Sequence, residues 1–89
     1  MTYQVVWLPY ALDELAAIWL GASDRGSVTA ASRRIDQRLA TNPFTEGESR
    51  DSEVERIAFE PPLQVLARVS EDDRMVWVTA VAAFDRPNL

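Results

Sequence analysis

The sequence predicts an α+β domain in the order β-α-α-β-β-β, with a helical hairpin packed on one face of a mainly antiparallel four-stranded sheet. Three observations carry this. Residues 5–19, VVWLPYALDELAAIW, pass from a strand pattern into a helical one across a single proline. Apolar residues then recur at helical spacing until Asn42-Pro43, and from residue 54 onward the period changes to two. The 89-residue length fits one domain, residues 1–89, which buries roughly 60–65% of the surface its unfolded chain exposes.

Each element follows from local chemistry. Tyr3, Val5 and Trp7 alternate with Gln4, Val6 and Leu8, as in a strand apolar on both faces toward its end. Pro9 suits a first helical position, where the missing N–H is no loss. Asp13 and Glu14 lie early in that helix, where negative charge suits the macrodipole. Leu12, Leu15, Ile18, Trp19 and Ala22 form its expected buried stripe, and Gly21 with SDRG (23–26) ends it. Ser27 is the expected N-cap of the second helix, whose stripe is Val28, Ala31, Ile35 and Leu39. Asn42-Pro43 stops it. Residues 44–52 are read as loop.

The strands follow. VERIAF (54–59) and LQVLARV (63–69) are joined at Glu60-Pro61-Pro62, because neither proline can donate to a ladder. SEDDR (70–74) is a polar hairpin leading into MVWVTAVA (75–82), apolar on both sides as a central strand would be. The first strand is expected to pair with the edge of 75–82. The helices can cover only one side of that strand. Either Met75, Trp77, Thr79 and Val81, or Val76, Val78, Ala80 and Ala82, must therefore meet something else, and an uncovered apolar face marks an interface. Trp77, Val76, Val78 and Leu66 are the partner-binding candidates on this reasoning.

Composition narrows the chemistry. There is no histidine, no cysteine and no lysine; all nine basic residues are arginine. The usual general base near neutral pH is missing, as are disulfides, thiolate sites and Schiff-base chemistry. Arginine clamps anions but is not a base. A net charge of −5 weighs against a nucleic-acid partner. No cofactor and no metal site are expected: Glu71-Asp72-Asp73 lacks the ligand number and spacing of a calcium loop and is read as solvated hairpin. Glu46, Glu48, Asp51, Glu53 and Glu55 form an acidic stretch, read as solvated loop. The opening MTYQVVWL has no basic n-region, and no apolar run reaches membrane-span length, so a cytoplasmic location without membrane attachment is expected.

The order and spacing of these pieces resemble the RelE/ParE superfamily of small toxins from bacterial toxin–antitoxin pairs. The opening is similar to the family's strand, proline and A-x-x-D/E-L-x-x-I helix start, with Ala11, Glu14, Leu15 and Ile18 in place. RIDQRLATNP (34–43) resembles the end of its second helix. Arg56 in VERIAF, the strand LQVLARV and SEDDRMVWVTAV resemble its closing meander. The resemblance implies a cognate antitoxin as partner, with a second copy of the chain as the alternative occupant of the open face. It implies a role in plasmid stabilisation, with a ParE-like action on a gyrase-like target as the toxic mode.

The RelE-like ribonuclease branch is the alternative. Its active site uses basic residues and a tyrosine on the open sheet face and tail. Here the tail reads Val81-Ala82-Ala83-Phe84-Asp85, and the tyrosine before "R-V" is Ala67. Arg56 and Arg68 are the remaining catalytic candidates, expected to share one surface, with Arg50 as a phosphate or target contact. No acid or base accompanies them, so the reading leans away from an enzyme. A third alternative is a non-toxic binding module on the same fold.

Overall fold

The computed structural model of the chain describes residues 2–43 and 54–83. The elements are β1 (Gln4–Trp7), α1 (Pro9–Gly21), α2 (Arg25–Thr41), β2 (Val54–Glu60), β3 (Leu63–Ser70) and β4 (Met75–Ala83). The sheet order is β1-β4-β3-β2; β1 runs parallel to β4 and the other pairs are antiparallel. This is the α+β arrangement expected from the pattern, with both helices on one face. No helix among the described residues is long and apolar enough to cross a membrane.

The core lies between α2, α1 and the inner face of the sheet. Val28, Ala31, Ile35 and Leu39 of α2 meet Leu63, Val65, Ala67 and Val69 of β3 and Val76, Val78 and Val81 of β4. Burying a side chain of this class contributes about 1.5–3 kcal/mol. Trp7 packs against the core, and its Nε1 donates to Asp36 Oδ1 at 3.0 Å, tying β1 to α2. Tyr3 is fixed by its hydroxyl on Glu71 and by the Arg74 guanidinium over its ring.

Two helix expectations change. α1 turns Ala11, Leu15, Ile18 and Ala22 toward the core, while Leu12 and Trp19 are exposed. Trp19 instead bonds Thr29 and carries the Arg25 guanidinium over its ring. The reason is composition: α1 is apolar all round, so its stripe could not be located from apolar residues alone. The cap of α2 is Asp24, not Ser27. Its carboxylate accepts from the Ser27 backbone N–H and from the Ser27 hydroxyl.

Those two bonds, the hydroxyl's first, hold the Asp24 carboxyl below its ordinary range. A lowered folded-state value means that the unfolded chain binds the proton more readily. The stabilisation is therefore complete above the unfolded value of about 3.9 and is lost as pH falls through the lowered one. Asp24→Ala is expected to lower the melting temperature at pH 7, with the deficit shrinking in melts below about pH 4.

Candidate functional site

The hairpin between β2 and β3 sets which side chains share the open face. Glu60 pairs with Leu63 across the two-residue turn, so Glu55 pairs with Arg68, Ile57 with Leu66, and Phe59 with Gln64. Arg56 pairs with Ala67, which is buried. Arg56 and Arg68 therefore stand on opposite faces of the sheet, against the expectation that they share one. Arg56 is on the helix side, where its Nη1 donates to the Pro43 carbonyl at 2.8 Å. Arg68 is on the open side, 3.4 Å from Glu55 Oε1. Arg50 lies outside the described residues.

The four partner-binding candidates also divide. Val76 and Val78 are fully buried under the helices and cannot meet a partner. Trp77 and Leu66 lie on the open face, both half-buried. Neither alternating set expected for β4 survives along its whole length. The register shifts between Leu66 and Ala67, whose partners are Ala80 and Val78, and this leaves Thr79 as an extra residue. Such a bulge reverses the alternation. Trp77 faces out before it, Ala80 and Ala82 after it, and Val81 turns in. Thr79 Oγ1 donates to the Leu66 carbonyl at 3.2 Å, which anchors the bulge.

The open face thus carries Val6, Trp77, Leu66, Ala80, Ile57 and Phe59. Ile57 and Phe59 are exposed by 56% and 47%. A groove of about 260 Å³ runs over Ile57, Leu66, Ala80 and Ala82 and ends at Glu14. Glu14 reaches it from α1 because β1 pairs with β4 only as far as Val78. Beyond that point the Glu14 Oε1 atom accepts the Val81 N–H at 3.0 Å. Glu14→Ala removes that acceptor and is expected to cost about 1 kcal/mol in urea denaturation, with Glu14→Gln largely restoring it.

This surface suits binding. Its exposed apolar side chains offer contact area. Among the described residues no group of three or more acidic side chains is placed to hold a metal. Alternation groups Ile57 with Phe59 and suggests that they share the face of Leu63 and Val65, but the register places them on the open face instead. Counting the register back from the Pro61-Pro62 turn finds them.

No family model matches the chain, and no curated protein does. Solved structures do. The archaeal RelE–RelB complex from Pyrococcus horikoshii OT3 contains a chain matched at a TM-score of 0.73, with 14% identity over 98% of this chain and 100% of that one. The fold is that of RelE. The isolated RelE toxin of E. coli matches at 0.59, with 15% identity and coverage of 96% and 87%. A chain of the intact E. coli RelBE toxin–antitoxin complex matches at 0.55, with 15% identity and coverage of 94% and 99%. At these identities the likeness is one of fold.

Proposed function

We propose that this chain is a toxin-family protein of the RelE/ParE type whose principal activity is protein–protein binding, with an antitoxin chain as its partner. The observation that carries the reading is the apolar open face built from Ile57, Phe59, Leu66, Trp77 and Ala80. It lies on a fold that coincides over nearly its whole length with a chain solved in a RelE–RelB complex. A partner segment laid over that face would cover Leu66 at its centre. The toxic mode that asks no catalytic side chain of this protein is a ParE-like block of a gyrase-like target.

The geometry gives the ribonuclease alternative less support. Cleavage at a 2′-hydroxyl needs charge stabilisation together with a proton acceptor and donor at one place. Arg56 and Arg68 are separated by the thickness of the sheet. RNA incubated with the purified chain is expected to remain intact. Cleavage abolished by both Arg56→Ala and Arg68→Ala would reverse this assignment.

The test of the main reading is induction of the chain alone in bacteria, followed by viable counts. The same culture is then grown with the product of the adjacent reading frame co-expressed. Arrest relieved by a co-purifying partner is the expected result. Normal growth with a co-purifying partner would leave the non-toxic binding module as the better description. Normal growth and no complex would defeat the antitoxin reading.

A further inference from the structure

The Glu14 carboxylate carries a charge that the fold itself does not use. Its Oε1 atom accepts the Val81 N–H at 3.0 Å, a bond that a neutral glutamine side chain makes as well. Among the described residues no ion pair includes Glu14. It is the sixth residue of α1, beyond the first turn in which the macrodipole favours negative charge. The residues three and four positions away along the helix are Tyr10, Ala11, Ala17 and Ile18, and none is a cation.

Its position gives that charge a direction. The groove of about 260 Å³ crosses three neighbouring strands, from Ile57 over Leu66 to Ala80 and Ala82, and Glu14 closes it where a fourth strand would lie. At about 4.8 Å between strands the carboxylate stands one spacing beyond the two alanines and about 14 Å from the Ile57 end. The alanines make the depth. Ala80 pairs with Leu66 and Ala82 with Gln64, so methyl groups lie beside longer side chains and leave the floor low. The trough is apolar along its length and anionic at one end. Elsewhere on the open face the described charges are Glu55 and Arg68, which meet each other at 3.4 Å.

We infer that an antitoxin-type partner lays an arginine or lysine side chain in this groove, with its aliphatic stem on Ala80, Ala82 and Leu66 and its cationic head against Glu14. This deepens the reading of the open face as the antitoxin contact and rests on it. Arginine and lysine match both halves of the trough, because each spreads an apolar stem over apolar surface and carries its charge at the tip. Oε1 keeps its bond to Val81, and Oε2 has the lone pairs to accept from the cation. A purely aliphatic side chain would fill the floor but leave a covered, unpaired carboxylate. An acidic one would set like charges together. The groove therefore selects between partners as well as binding one. The chain's net charge of −5 favours the approach of a basic segment.

Glu14→Gln separates the charge from the structural bond. Its thermal melt should match that of wild type. Its calorimetric affinity for the co-expressed product of the adjacent reading frame should fall at least about tenfold at roughly 50 mM salt, and by less than about threefold at roughly 1 M. Glu55→Gln is the control and should stay within about twofold. Alanine replacement of the partner's lysines and arginines, one at a time, should find one whose loss costs nothing further in the Glu14→Gln background. Binding that Leu66→Glu abolishes, but whose strength and salt dependence Glu14→Gln leaves unchanged, overturns the inference and keeps the antitoxin reading. Binding indifferent to Leu66→Glu overturns both. A second measurement needs no partner. The Val81 amide resonance reports on Glu14 directly, and n-butylguanidinium should shift it saturably, with a dissociation constant on the order of 10 mM. Its neutral isostere n-butylurea should not, and neither probe should do so in Glu14→Gln. Equal shifts from the two probes, or none from either, overturn the assignment of Glu14 as the cation-binding end.

Discussion

Ile35→Ala is expected to lower the unfolding free energy by about 2–5 kcal/mol, a large share of what a small domain has. Ile35 is 1% exposed and sits mid-way along α2, over the inner face of the sheet. Its removal leaves a void that neighbours on two layers cannot both collapse into. A domain of this length has roughly 4–13 kcal/mol in total, so the variant approaches the folding threshold and its melting temperature drops by more than about 10 °C. Urea titration should show a shifted midpoint with an unchanged slope. Ile35→Val should cost only about 0.5–1.5 kcal/mol. Leu12→Ala supplies the contrast, since Leu12 is 49% exposed and its truncation should stay within about 0.5 kcal/mol. A Leu12→Ala loss as large as that of Ile35→Ala would mean that α1 is rotated from the described orientation.

That contrast also shows what the sequence made legible. Val28, Ala31, Ile35 and Leu39 stand out because α2 is otherwise polar, with Arg33, Arg34, Asp36 and Gln37 off the stripe. The period therefore has a contrast to act on. In α1, where Tyr10, Leu12, Trp19 and Leu20 are as apolar as Leu15 and Ile18, the period has none, and the buried face was misplaced. The sheet shows the same division. The inner residues of β3 follow strict alternation and were legible. In β4 the bulge at Thr79 moves Val81 inward and Ala80 outward, and no residue type there announces it. The site suffered from parity. Arg56 and Arg68 look equivalent in one dimension, and only the two-residue turn at Pro61-Pro62, which pairs Arg56 with Ala67, shows that they are on different sides.

Leu66→Glu is expected to weaken binding of an antitoxin-type partner at least about 100-fold, equivalent to about 2.8 kcal/mol, while leaving the fold intact. Leu66 lies between Ile57 of β2 and Ala80 of β4, at the middle of the open face. A carboxylate there remains in water in the free protein, so the melting temperature should change by only a few degrees. In the complex the same carboxylate would be taken out of water among the apolar side chains of the face, which is the costly case. Central positions of an interface carry most of its energy, whereas a rim position such as Glu55 should tolerate alanine with little change. The neighbouring Val65 calibrates the measurement. It is 2% exposed on the inner face, so Val65→Glu should unfold the chain rather than merely release the partner. Titration calorimetry against the co-expressed partner, alongside thermal melts of both variants, separates these outcomes. Unchanged affinity in a folded Leu66→Glu protein would remove the open face from the contact. The partner would then have to dock on the helical side of the sheet, and substitutions there, such as Leu20→Glu, would weaken it instead.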